Sequence, residues 1–365
     1  MAKNILTIAN AQWSVTGTIP DSNQVYIKGQ GSGGINIPAT KATVSGAVVS
    51  ISNVAASTAF PANQTLFYNP FTVQWQVSFD GAGGTYYNAG TSQNMIYVAL
   101  SDTGPTTVTL YRTMVHLACG TPGATNADQA VTNTWGRFTG RAVCKWNETS
   151  GAYDIPLYYY KKDTSWTDNG DGTTAHLLKN TKQTGQCRCW ASIMHEALLV
   201  NGVANDKIQA VAKSVTLTPP SCPPVTFSQA FLVKDWTFGG PTNPLPWTGY
   251  PYLFDFPGSS FDMVPPPTGG VYGDLTNQNT LAGQNTSPPS EKFFGNHVFL
   301  KYTDSHSAVT YYDPSYGGTY TSEADFQAKA IDAYGVQYQT DPITGHLQYL
   351  LKKPGAAVEI VFGPG

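Results

Sequence analysis

The spacing of apolar positions changes character along this chain. Over residues 1–113, short strand-like runs fall at 4–15, 24–28, 42–52, 71–79, 93–100 and 106–113. Turns rich in Gly, Asn, Pro and Ser divide them. Many such runs broken at short intervals predict an antiparallel, all-β sandwich. A module spanning 1–115 is therefore expected. It carries no chemical motif and reads as a scaffold, attachment or binding module.

Near His116 the pattern shifts. Residues 124–138 fit a helix with Trp135 and Phe138 on a common side. The aromatic run Leu157-Tyr158-Tyr159-Tyr160 follows, then the loop Asp168-Asn169-Gly170-Asp171-Gly172. That loop lacks the alternating carboxylates and closing Glu of a calcium loop, so it reads as a turn. Next, Cys187, Ala191, Met194, Ala197 and Leu198 recur at helical spacing, and Asn201-Gly202 reads as the helix stop. Thr184 and Gly185 sit where a cap belongs. Residues 293–302 are rich in aromatic and β-branched side chains and predict a strand. A turn follows at 303–307, then a return strand at 309–313 ended by Pro314. A helix at 323–334 and strands at 336–338, 347–351 and 358–362 complete the chain.

Between helix and strand pair lies a segment of another kind, 219–290. It contains Pro219-Pro220, Pro223-Pro224, Pro265-Pro266-Pro267 and Pro288-Pro289, interleaved with aromatics. A loop of this length is functional or disordered. So many aromatics predict an ordered cover, with Trp236, Trp247 and Phe254 buried. It either walls a substrate cleft or packs away from it.

Composition narrows the setting. The chain has 365 residues, 41% of them hydrophobic, enough for two domains with full cores. Charged residues make only 12%, about half the usual share. That profile suits extracellular or virion-associated β-rich proteins. A net charge of −3 without a basic run gives no sign of nucleic-acid binding. No stretch approaches the ~18 apolar residues of a membrane span. The first residues lack the apolar core of a signal peptide.

Five cysteines are present: Cys119, Cys144, Cys187, Cys189 and Cys222. With Cys187 free, Cys119–Cys144 plus Cys189–Cys222 is one of three possible pairings of the rest.

The chemistry concentrates in three places. Gly185-Gln186-Cys187-Arg188-Cys189-Trp190-Ala191 puts a thiol at a predicted helix start, where unpaired N–H groups and the helix dipole favour a thiolate. Asn296-His297-Val298-Phe299 puts a histidine in a strand. Tyr312-Asp313-Pro314-Ser315-Tyr316-Gly317 puts an aspartate at the end of the next. His195 lies too far along the helix to touch the thiol, and His116, His176, His306 and His346 have no comparable context. Two antiparallel neighbours can set His297 beside Asp313, which gives a nucleophile, a base and an orienting group.

These three motifs, in this order, resemble the transglutaminase-like superfamily of papain-fold cysteine enzymes over roughly residues 116–365. Gly185, Cys187, Ala191 and Gly202-Val203 match that pattern in register and select Cys187 over Cys189. Trp190 is a counter-signal, because true transglutaminases carry Trp directly after the cysteine. The resemblance implies a papain-like α+β catalytic domain at 116–365, with 219–290 as an insertion. It implies Cys187, His297 and Asp313 as the catalytic residues and neither cofactor nor metal.

The expected reaction is acyl transfer from a peptide or side-chain amide, through a thioester on Cys187. Hydrolysis is the leading reading. Crosslinking of glutamine to an amine, or a non-catalytic protein retaining the fold, are the alternatives. The partner is then a protein or peptide substrate, and the oligomeric state is left open. For the oxyanion, the Cys187 N–H is the first donor. Gln183, Gln186, Trp135, Trp146 and Trp166 are candidates for the second. Cys187→Ala and His297→Ala are expected to abolish turnover while barely changing the melting temperature.

Overall fold

A computed structural model describes residues 5–101, 109–160, 172–212, 215–217, 225–227, 229–233, 282–286, 293–340, 347–352 and 360–365. Trp166, Cys222, Trp236, Trp247 and Phe254 lie outside these residues, as does most of the loop at 168–172. The described chain mixes helix and strand, with strand predominating. It forms two compact units. The first takes in Met1–Thr106, Val115–Asn133 and Val200–Gly202, and the second Thr107–Met114, Thr134–Leu199 and Val203–Gly365.

The strands of the first unit are β1 (Thr7–Ser14), β2 (Tyr26–Gly31), β3 (Asn36–Lys41), β4 (Thr43–Ser45), β5 (Val48–Ala55), β6 (Leu66–Ser78) and β7 (Tyr87–Val98). They make two antiparallel sheets, ordered β1-β5-β4 and β3-β2-β6-β7. Val49 and Ile51 from the first sheet share one apolar cluster with Ile27, Ile37, Phe71, Val73 and Trp75 from the second. Trp13 meets Trp75 edge-on, with ring centroids 5.2 Å apart.

Two helices follow, α1 (Arg112–Cys119) and α2 (Ala127–Thr139). The Asn126 side chain caps α2 by accepting from Gln129 N at 2.9 Å, so the helix starts later than its apolar pattern suggests. Then come β8 (Cys144–Asn147), β9 (Ala152–Pro156), β10 (Tyr158–Tyr159), α3 (Thr174–Lys179), β11 (Thr184–Gly185), α4 (Cys187–Val200) and β12 (Asp206–Ala212). The remaining elements are β13 (Val215–Leu217), β14 (Val225–Phe227), β15 (Gln229–Val233), β16 (Phe293–Phe294), β17 (Asn296–Thr303), β18 (Val309–Asp313), β19 (Gly318–Tyr320), α5 (Glu323–Ala330), β20 (Ile331–Thr340), β21 (Leu347–Lys352) and β22 (Ile360–Pro364).

The central sheet of the second unit is antiparallel, in the order β19-β18-β17-β12-β22. Its strand β17 sits between β12 and β18, so both of its edges are paired, and its successive side chains point to opposite faces that are both covered. Val298, Phe299 and Leu300 are accordingly all buried. A second sheet has the order β16-β15-β20-β21. Helix α5 ends at Ala330, short of the predicted 334, because Ile331 opens β20. Its β-branched and aromatic run Ile331, Tyr334, Val336, Tyr338 suits a strand better than a helix.

Helix α4 is not amphipathic in the usual sense. Cys187, Cys189, Trp190, Ala191, Ile193, Met194, Ala197 and Leu198 are all buried, and Arg188 is its one exposed residue. An all-round apolar helix belongs inside a domain. It stops where the sequence says. Gly202 takes a positive φ of 69° and Val203 N donates to Leu198 O at 3.1 Å. That closure satisfies a carbonyl of the last turn, in a conformation glycine adopts without cost.

Candidate active site

The thiol is positioned by the start of α4. Gln186 O accepts from Cys189 N at 3.0 Å and from Trp190 N at 3.3 Å. Gln186 is therefore the residue before the helix, and Cys187 stands on the first helical position. The predicted cap residues do other work. Thr184 and Gly185 form a short parallel bridge with Tyr158 and Tyr159. Gly185 is needed there, because a Cβ would stand 2.8 Å from Cys189 Cβ and 3.0 Å from Leu177 Cδ1. The N–H groups of a first helical turn have no acceptor within the helix, so Cys187 carries a donor beside its own sulfur.

The imidazole comes from the central sheet. His297 is the second residue of β17 and pairs with Ala210 of β12. Leu300 pairs with Tyr312 across the β17–β18 turn. Continuing that register sets Asp313 opposite Phe299, diagonal to His297, within reach of side chains on one face. The contact is made: His297 Nε2 donates to Asp313 Oδ2 at 2.7 Å, and both residues are fully buried. A carboxylate can only accept, so the shared proton belongs on Nε2. Nδ1 is then the ring nitrogen left for Cys187, which lies close enough to raise the proton affinity of the imidazole. Burial pulls the imidazole toward its neutral form. The Asp313 charge and hydrogen bond, with a contribution from Cys187, outweigh it and raise the ring to about 10. The balance of these effects favours the protonated ring.

Asp313 is itself held on three sides. Ser315 N donates to Oδ1 at 3.0 Å, and the Tyr320 hydroxyl donates to Oδ2 at 3.2 Å. Its backbone oxygen accepts from Gly317 N at 2.8 Å. Asp-Pro-Ser-Tyr-Gly is therefore a turn as well as a site. The carboxylate organises the turn and points into the protein.

Two groups of residues complete the site without having been singled out in the sequence. The first is a set of tyrosines. Tyr159 and Tyr316 are fully buried, meet edge-on with centroids 4.8 Å apart, and both lie within electrostatic reach of Cys187. Burial, ahead of every neighbouring charge, drives each phenol well above its ordinary range, so each stays an uncharged donor. The second is Gln284-Asn285. The Gln284 amide donates to Pro314 O at 2.7 Å and Phe138 O at 3.0 Å. Asn285 donates to Val143 O at 2.8 Å and Leu157 O at 2.6 Å. These two side chains tie four separate backbone segments together behind Asp313.

The remaining expectations sort themselves by contact. Gln183 turns its amide to Thr181 O at 2.8 Å. Trp146 lies under Arg112 and against Tyr153. Trp135 packs its ring on Phe138 and Tyr312, next to Asp313 in sequence. Cys119 and Cys144 are free thiols, so the pairing that joined them is wrong. Cys119 instead lies 3.8 Å from Asn201 Oδ1, in a buried hydrogen-bonding contact. Cys187 is also a free thiol. Among the described residues, no helix is long and apolar enough to cross a membrane. Comparison with protein-family models and with curated proteins finds no match, so the chemistry is read from these side chains.

Proposed function

We propose that this chain is a thiol-dependent acyl-transfer enzyme of the transglutaminase-like, papain-fold kind, acting on a peptide or side-chain amide of a protein. One observation carries the reading. A thiol on the first turn of a buried helix adjoins an imidazole whose far nitrogen is fixed by a buried carboxylate. A merely structural His–Asp pair has no need of a free thiol at its open end.

The reaction follows from these positions. The Cys187 sulfur attacks the amide carbonyl carbon, and the Cys187 N–H lies where it can stabilise the oxyanion. His297 gives its Nδ1 proton to the departing nitrogen, the C–N bond breaks and a thioester remains. Water, losing a proton to His297, then attacks the thioester and releases a carboxylic acid and the thiol. Asp313 keeps the ring oriented throughout and is not consumed. An amine in place of water would give a crosslink instead, so hydrolysis and transglutamination share the first half-reaction. The low charge content supports an extracellular or virion-associated setting.

Intact mass spectrometry of the full chain with a glutamine peptide, with and without a primary amine, separates the outcomes. Peptide cleavage or loss of ammonia, absent in Cys187→Ala, is the expected result. A peptide–amine adduct would make the enzyme a transglutaminase. No change over several glutamine peptides, together with no thioester on Cys187, would leave a non-catalytic protein.

A further inference from the structure

We propose that the outer face of the β3-β2-β6-β7 sheet binds an uncharged oligosaccharide. The face is built from two transverse rows in register. Asn36, Gln30, Gln74 and Thr91 are successive neighbours across all four strands, and Lys28, Gln76 and Asn88 across three. Together they line a shallow groove of about 400 Å³, with Gly29 and the buried Trp75 beneath. That volume falls in the range of small-ligand sites.

The chemistry of the lining selects the ligand. An amide offers donors and an acceptor on one rigid plane, which suits vicinal hydroxyls that also give and take. Gln30, Gln74 and Gln76 are solvent-exposed, and among the described residues no protein group bonds to their side chains. The two asparagines are half committed, with complementary remainders. Asn36 donates to Ser57 Oγ at 2.7 Å and keeps its oxygen for the groove. Asn88 accepts from Gly90 N at 2.9 Å and keeps its amide hydrogens. No carboxylate lines the groove. Its single cation, Lys28, stands 3.9 Å from the centre of the Tyr86 ring, so the face offers little to an anionic polymer.

The backbone is bent to make this arrangement. β7 slips register against β6 between Gln74 and Gln76. Asn88 and Thr91, three apart in sequence, thereby face adjacent glutamines. A bulge is a recognised way to re-aim side chains at a binding surface. An amide-rich face needing only solubility would not require it.

Affinity electrophoresis of the full chain tests this, in native gels containing mixed-linkage β-glucan, galactomannan or dextran, with dextran sulfate as the charged control. Polymeric ligands suit it because repeated weak sites accumulate. Retardation is expected in at least one neutral gel. Gln74→Ala/Gln76→Ala should reduce it about tenfold, from two lost hydrogen bonds, with an unchanged circular dichroism spectrum. Lys28→Gln, which keeps a hydrogen-bonding side chain in the row, should weaken it less than the double variant does. No retardation by any neutral polymer overturns the proposal, as does equal retardation of the double variant. Retardation confined to dextran sulfate, or lost in Lys28→Gln, would make the face a charge-driven surface instead.

Discussion

The two units bury different kinds of atoms. Between the sheets of the first, the cluster is Val, Ile, Ala, Phe and Trp. The interior of the second encloses His297, Asp313, Gln284, Thr184, Ser192 and Ser315 beside Trp190, Phe299 and Phe326. Apolar burial is favourable in itself. Burying an ionised pair is not, unless hydrogen bonds and charge offset the loss of water. The second unit accordingly surrounds Asp313 with donors and ties its turn down through Gln284. Among the described residues the first unit buries only the uncharged polar side chains of Thr65, Ser78 and Asn201. The second unit thus keeps a desolvated pair next to a thiol at a cost in stability that the proposed chemistry would explain.

The contrast is sharpest for substitutions of similar size. Phe71→Ala in the first unit should cost about 3–5 kcal/mol by leaving a cavity. His297→Ala should cost a similar ~3–5 kcal/mol, but by stranding the Asp313 charge. This revises the expectation that His297→Ala leaves the melting temperature unchanged, since the sequence does not reveal that both partners are fully buried. The pH dependence tells the two losses apart. The folded imidazole holds its proton up to about 10, whereas the unfolded chain releases it near the ordinary value of about 6.5. Its stabilisation is therefore complete below that lower value and is lost as pH rises through the folded one. Urea unfolding across this window should give a falling slope in wild type and Phe71→Ala, and a flatter one in His297→Gln. Identical slopes would mean that the pair is not charged.

What the sequence makes legible is local. Cys187 at a helix start, His297 in a strand and Asp313 before Pro314 are each marked by their immediate neighbours. The turns that divide the strands of the first unit are equally local, which is why those strands can be read. Tyr159 reaches Cys187 through a two-residue parallel bridge to Gly185, and no periodicity announces so short a pairing. Tyr320 lies on a three-residue strand, and Gln284 follows a segment whose composition draws attention to its prolines. Cys189, expected on another side of the helix, is as buried as Cys187, because α4 is enclosed nearly all round. Helical spacing shows which residues share a face, not how many faces are covered.

Smaller effects should follow the hydrogen bonds that hold Asp313. Gln284→Ala should cost about 1–3 kcal/mol by stranding the Pro314 and Phe138 carbonyls, and chemical denaturation would measure it. Tyr320→Phe removes one donor from the carboxylate and keeps the ring, at about 1 kcal/mol. With one donor fewer on Asp313, more of the carboxylate charge faces the imidazole, and the ring should hold its proton to higher pH. NMR titration of His297 would record that shift, and an unmoved titration would assign Tyr320 to packing alone.

The smallest change in stability is expected where the chemistry is lost altogether. Cys187→Ala removes one buried sulfur, about 1 kcal/mol of apolar burial, and leaves His297 and Asp313 paired. Its melting temperature should stay close to wild type, far above that of His297→Ala, while turnover and the thioester disappear. Iodoacetamide mapped by peptide mass spectrometry supplies the direct readout. Wild type should be modified at Cys187, the thiol beside the imidazole, faster than at the similarly buried Cys119 and Cys189, with the more exposed Cys144 as the reference thiol. In Cys187→Ala that modification should vanish without moving to Cys189. In His297→Ala it should slow at neutral pH, because the neighbouring cation is gone. Preferential labelling of Cys189 would transfer the nucleophile to the residue before Trp190, and a Cys187→Ala protein as unstable as His297→Ala would make the thiol part of the packing.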